Sequence, residues 1–222
     1  STAPATCHVS ISAEQINIAV DHDMETNQGW SAGASGDTAT TGIWTRVNPV
    51  GTAAQPEDDH TPTGVRCWVT GQGSSGGSVG DNDVDNGTTT LLTPTMDLTS
   101  YPDPHISYWR WYSNNQGSSP GADTFAVDVS NDGGSSWVSA ELLGPTGADT
   151  VGGWIAAELD LESLLAVTSQ MRLRFVASDL GSGSFAALPD ALHSHGDPRR
   201  ELVLQLLSSS WTTTNGSLRS GA

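Results

Sequence analysis

Three carboxylates, Asp81, Asp83 and Asp85, alternate along the run GDNDVDNGTTTLL (80–92), directly before an apolar stretch. Charges this close repel, so a cation, an arginine or solvation must relieve the loop. Calcium takes roughly six to eight oxygens in flexible geometry, which suits Asp and Asn on a Gly-rich loop. The spacing begins like an EF-hand, but the glycine falls one place late and Leu92 stands where the bidentate glutamate belongs. A calcium ion here must therefore be completed by another segment, with Asp123 the first candidate. The competing reading is a solvated acidic turn that holds no ion.

Other residues could carry chemistry. PEDDHTP (56–62) offers carboxylates and an imidazole, adequate for a metal or for acid–base work, but prolines at both ends read as a rigid exposed turn. His193 and His195 in HSHGD could ligate a metal or stand in an exposed loop. Neither G-x-S-x-G nor H-E-x-x-H occurs. Glu141 and Glu158 lie on successive strand candidates and could face each other as a glycosidase pair, or simply point outward from a sheet.

Eight tryptophans stand at positions 30, 44, 68, 109, 111, 137, 154 and 211. They are too many to be exposed together, so most fill a core or cap its ends. In HISYWRWYSN (105–114), Trp109 and Trp111 share one face, and Tyr108, Arg110 and Tyr112 the other. One of these rows looks away from the core. Turned outward, it is a platform for sugar rings or a partner surface, unless a loop or the C-terminal tail covers it.

The elements that must position these groups are short. Period-two alternation marks strands at 41–48, 64–71, 88–98, 105–114, 123–130, 136–143, 153–161 and 170–179, each followed by Gly, Asn, Asp or Pro. Leu161, Leu164 and Leu165 allow one helical turn. Such spacing predicts an all-β chain, a two-layer antiparallel β-sandwich of jelly-roll type. Residues 1–20 read as an N-terminal extension or edge strands, 21–184 as the sandwich, and 185–222 as an irregular C-terminal tail. Antiparallel parity gathers Asp81, Asp83, Asp85, Asn114, Asp123, Asp149 and Asp179 at one end. It gathers Asp58, Asp59, His60, Asp103, His105 and Asp132 at the other.

Composition narrows the partners. With 8 Lys plus Arg against 25 Asp plus Glu, the formal charge is −17, and nucleic acid, which demands basic patches, is excluded as a partner. An acidic surface fits cation binding, a salty or extracellular setting, or plain solubility. No apolar run is long enough for a membrane span. Two cysteines, Cys7 and Cys67, allow one disulfide. A chain that starts at Ser1 reads as a processed or excised piece of a larger protein.

Taken together, DMETNQGWS, GIWTRVNP, PEDDHTP, CWVTG, NDVDNGTTTLLTPTMDL, ISYWRWYSN, DTFAVDVSNDGGSSW and RLRFVASD resemble the MAM-like jelly-roll domains of secreted bacterial proteins, from about Asp21 to Asp179. The resemblance implies a secreted, non-catalytic module, frequently calcium-bound, that is appended to a metallopeptidase or other hydrolase and serves adhesion, substrate targeting or stabilisation. Where such domains close with an acidic strand of the type E-A-x-x-D-D, this chain has FAALPDALHSHGD. The expectation is thus a calcium-stabilised extracellular module that binds a glycan, a protein surface or its parent enzyme domain. A jelly-roll glycan-cleaving enzyme (glycoside hydrolase or polysaccharide lyase) and a structural adhesion unit are the alternatives.

Overall fold

The computed structural model describes residues 17–117, 119–180 and 189–190. Ten strands follow in chain order: β1 (Ser31–Ala32), β2 (Trp44–Val47), β3 (Cys67–Thr70), β4 (Gly87–Leu92), β5 (His105–Ser113), β6 (Phe125–Ser130), β7 (Val138–Leu143), β8 (Val151–Asp160), β9 (Arg172–Asp179) and β10 (Pro189–Asp190). The eight strands expected from alternation are all present; most ends fall within three residues of expectation, while β4 stops at Leu92, six residues before the expected end. The helical turn exists as α1 (Leu161–Leu164), capped by Asp160, whose carboxylate accepts the Ser163 amide. Residues 17–20, the described part of the expected N-terminal edge strands, are irregular. Cys7 lies outside the described residues, as do His193, His195 and Trp211; Cys67 is fully buried.

One layer is a five-stranded antiparallel sheet in the order β1-β4-β9-β6-β7. Facing it are β2-β3-β10 and the long β5–β8 pair, with β10 lying between β3 and β5. Pro189–Asp190 thus pairs with Trp68–Val69, so a piece of the atypical tail still adds a strand to the sandwich.

Alternation explains the core. Leu91 on β4, Phe125, Val127 and Val129 on β6, and Leu173, Phe175 and Ala177 on β9 are all at most 2 % exposed and fill the space between the layers. Each fully buried Val, Leu or Phe contributes roughly 1.5–3 kcal/mol. The second layer contributes Trp44, Trp68, Tyr108 and Tyr112, with the ring of Tyr108 edge-on to Phe175 at 5.4 Å. Trp137 sits instead on the far side of the five-stranded sheet, where the Arg174 guanidinium lies 4.6 Å from its ring centre.

The register fixes which loops meet. Gly87 pairs with Asp179 and Phe125 with Ala177, so the start of β4, the start of β6 and the end of β9 share one end, called here the upper rim. His105 pairs with Asp160 at the opposite, lower rim.

Candidate functional site

At the upper rim the chain reverses through two non-glycine residues of positive φ, Asn82 (67°) and Asn86 (63°). Asn tolerates this conformation better than most residues, and its use here turns the intervening Asp83 inward. Gly71 is required opposite, because a Cβ there would collide with the Asn82 carbonyl. Asp83 is 3 % exposed, and its Oδ2 has no hydrogen-bond partner among the described residues. Burial, then the neighbouring Asp85, and then Asp179 and Asp123 push its carboxyl up to about 7. Asp123 is fully buried, and its Oδ1 accepts the Leu180 amide at 2.8 Å. Asp179 accepts the Asn86 amide at 2.9 Å, and Asp85 accepts the Thr41 hydroxyl at 2.7 Å.

Of the four expected ligands, Asp83, Asp85 and Asp123 lie at this rim, and Asp83 feels the charge of Asp85, Asp179 and Asp123; no three of these carboxylates bring ligand oxygens within 4.8 Å of one another. Asp81 stands apart: its Oδ2 accepts the Ser78 amide at 2.9 Å and closes its own exposed turn. A buried carboxylate oxygen with no partner among the described residues is a group that a proton or a cation would satisfy.

The outer face of β5 and β8 carries the second constellation. Tyr108, Arg110 and Tyr112, expected as part of a binding row, point into the sandwich and are 1, 6 and 1 % exposed. The reason is a countercharge on the facing sheet: Glu141 of β7 accepts from the Tyr108 hydroxyl and lies 3.3 Å from Arg110 Nη2, with Asp149 at 3.6 Å. A buried guanidinium needs such partners. Burial and the charge of Asp123 also push the Tyr112 hydroxyl well above the ordinary tyrosine range. This also separates Glu141 from Glu158, which lies outward on β8 beside His105, so the two do not form a pair across a cleft.

Trp109 and Trp111 are the row that faces away from the core, and Trp154, paired with Trp111 across the strands, extends it. Trp111 and Trp154 meet edge to face at 5.7 Å. The segment between β2 and β3 lies over this row: His60 stacks on Trp109 at 3.5 Å and meets Trp154 edge to face at 5.9 Å, while the Trp111 indole donates to the Ala54 carbonyl at 2.8 Å. Behind them, Cys67 and Val69 form a small apolar cluster with Val47 and Trp154. His60 is thus over the outer face rather than at the lower rim. Its neighbour Asp59 accepts from the Thr61 hydroxyl, and burial raises its carboxyl pKa. The result is a half-buried aromatic cluster of three indoles and an imidazole. Sequence alone does not expect Trp154 and His60 in this cluster, and places His60 at the lower end, because cross-strand register and loop placement are long-range properties; the alternation of β8 was the available signal for Trp154.

No family model matches the sequence, and no curated protein does. Among solved structures, the chain is similar to the K1 cleaved adhesin domain of Lys-gingipain from Porphyromonas gingivalis W83, at 16% identity and a TM-score of 0.49, covering 80% of this chain and 98% of that one. It is also similar to the carbohydrate-binding module TmCBM61 in complex with β-1,4-galactotriose, at 12% identity and a TM-score of 0.44, covering 83% and 100%. A third is CBM28, a module specific for non-crystalline cellulose, at 11% identity and a TM-score of 0.43, covering 83% and 97%. What those proteins bind is set by their own side chains.

Proposed function

We propose that this chain is a non-catalytic, calcium-stabilised glycan-binding accessory module of the MAM-like jelly-roll kind, carried by a larger secreted protein. The observation that carries the reading is the outward cluster of Trp109, Trp111 and Trp154 with His60. The indoles are partly buried, with His60 stacked on Trp109, and the part of them left open on the rigid sheet is an apolar surface held at low entropic cost, which suits the C–H faces of pyranose rings. Calcium belongs to the reading through the upper rim, where Asp83 keeps a buried oxygen with no partner among the described residues and feels the charge of Asp85, Asp179 and Asp123. The separation of Glu141 from Glu158 speaks against the glycosidase alternative.

Affinity electrophoresis through gels that contain soluble polysaccharides tests it. Retardation by at least one glycan is expected, weakened about tenfold or more by Trp109→Ala or Trp154→Ala, with no release of reducing ends or unsaturated products. Sugar release would replace the reading with a hydrolase or lyase. Unretarded migration on every glycan, with self-association in solution, would favour the structural adhesion unit.

A further inference from the structure

The lower rim carries a second, chemically different constellation. Asp103, His105 and Asp160 each offer a ligand atom, and the three atoms lie within 4.8 Å of one another. Each is placed by a different device. His105 opens β5 and pairs directly with Asp160, the last residue of β8, so both side chains leave the same outer face of the sheet. Asp160 is also the cap of α1, and its carboxylate is held at the helix start by the Ser163 amide at 3.2 Å. Asp103 stands two residues before His105 with its Oδ1 3.4 Å from Nε2.

The other imidazole nitrogen, Nδ1, lies 3.0 Å from the Glu158 carboxylate, an ion-pair distance at an angle that does not yet make a hydrogen bond. Glu158 lies two residues from Asp160 on β8 and on the same outer face. A small rotation of the ring would let Nδ1–H donate to Glu158, which would leave Nε2 with its lone pair toward Asp103 and Asp160. Histidines that ligate metals are held in this way, by a carboxylate on the nitrogen that does not bind. The spacing agrees as well. Ligand bonds of roughly 2.0–2.2 Å at the tetrahedral angle put ligand atoms about 3.4 Å apart, the separation already found between Asp103 and His105.

We infer that Asp103, His105 and Asp160, with Glu158 as the orienting group, form a binding site for a divalent transition-metal ion of the zinc class, distinct from the oxygen-only upper rim. One imidazole nitrogen among carboxylates favours zinc, cobalt or manganese over calcium, which takes oxygens. Three protein ligands leave at least one position for water or an exogenous donor. The site shares its face with Trp109, two alternations along β5 and roughly 13 Å away at about 3.3 Å per residue. A metal there would stand beside the aromatic cluster.

The test is a titration of tag-free, metal-stripped full chain with Zn²⁺ in millimolar Ca²⁺, in a His193→Ala, His195→Ala background so that the two other closely spaced imidazoles do not contribute. One equivalent of zinc is expected to bind with micromolar or tighter affinity. His105→Gln should remove that binding, Asp103→Asn should weaken it about tenfold or more, and Glu158→Gln should weaken it by about 10–100-fold. Asp103 is exposed on a loop, so its variant tests the site without threatening the fold. Cobalt loading adds an independent readout, a visible d–d band lost in His105→Gln. Zinc binding unchanged by His105→Gln and Asp103→Asn, or displaced by millimolar calcium, would overturn the assignment.

Discussion

The two rims of this sandwich hold similar numbers of carboxylates and treat them in opposite ways. At the upper rim, Asp83 and Asp123 are taken out of water and crowded together, and Asp83 is left with an unsatisfied oxygen. At the lower rim the acids stay in contact with solvent, and each is answered locally. Asp103 and Glu158 flank one imidazole, and Asp132 gathers the amides of Ser135 and Ser136 and the hydroxyls of Ser130 and Ser136. Charge alone therefore does not define a site. Burial at one rim makes the ionised form of Asp83 costly, a cost that a proton or a cation would relieve, whereas hydrogen bonding at the other answers the charge locally.

The largest consequence is in stability. If calcium occupies the upper rim, an ion at about a hundred times its dissociation constant contributes about 2.7 kcal/mol. For a chain of this size that is roughly 5–11 °C in Tm. Excess chelator should lower Tm by that amount, and Asp123→Ala should lower it further and abolish the calcium response. A calorimetric Tm that ignores both calcium and chelator would erase the contrast between the rims.

Next in size is the behaviour of Asp83. Its folded pKa is raised, so its favourable contribution is complete below the unfolded value near 4 and is lost as pH climbs through about 7. Without metal, Asp83→Asn should melt higher than the parent at pH 8, and the gap should close as pH falls toward 5. Saturating calcium should reverse the order at pH 8, because the ion needs the carboxylate. Melting curves of both proteins across pH, with and without calcium, check the crossing; parallel curves would mean that Asp83 is an ordinary solvated acid.

A smaller effect separates the rims in the other direction. His105→Gln removes partly solvated contacts with Asp103 and Glu158, interactions worth about 0.2–1 kcal/mol, and should leave the calcium-dependent part of Tm intact. Loss of the calcium response in this variant would mean that the two ends are coupled through β5 and cannot be treated separately.

Much of this arrangement was legible before any coordinates. Strict alternation placed the strands, and antiparallel parity put Asp83, Asp123, Asp149 and Asp179 at one end and Asp103 and His105 at the other. What stayed hidden depended on contacts between segments far apart. Both rows of β5 are aromatic, so hydrophobicity could not say which one faces inward; Glu141 on the opposite sheet decides it by meeting Arg110 and Tyr108. Asp81 and Asp83 are identical in type and two residues apart, yet Ser78 claims one and burial claims the other. The stretch between β2 and β3 has no periodicity, and nothing in it announced that His60 would lie on Trp109. Asp160 entered no candidate set, because its pairing with His105 is a matter of register.

The smallest expected effect tests the sign of the contrast. Asp132 in the β6–β7 connection is exposed, and its hydrogen bonds, first from Ser136 and then from Ser130 and Ser135, hold its carboxyl well below the usual carboxylate range. A depressed folded pKa means that its contribution is present above the unfolded value near 4 and disappears as pH falls through the lower folded value. Asp132→Asn should therefore cost a little stability at neutral pH and nothing in strong acid, with the difference vanishing below about pH 4. Asp83→Asn does the reverse, gaining over the parent as pH rises. Acid unfolding of the two variants in chelator should thus give difference curves of opposite slope, one centred below pH 4 and the other between about 4 and 7. Slopes of the same sign would show that both rims answer only to the net negative charge of the chain, and that the local geometry argued for each rim does not control its carboxylates.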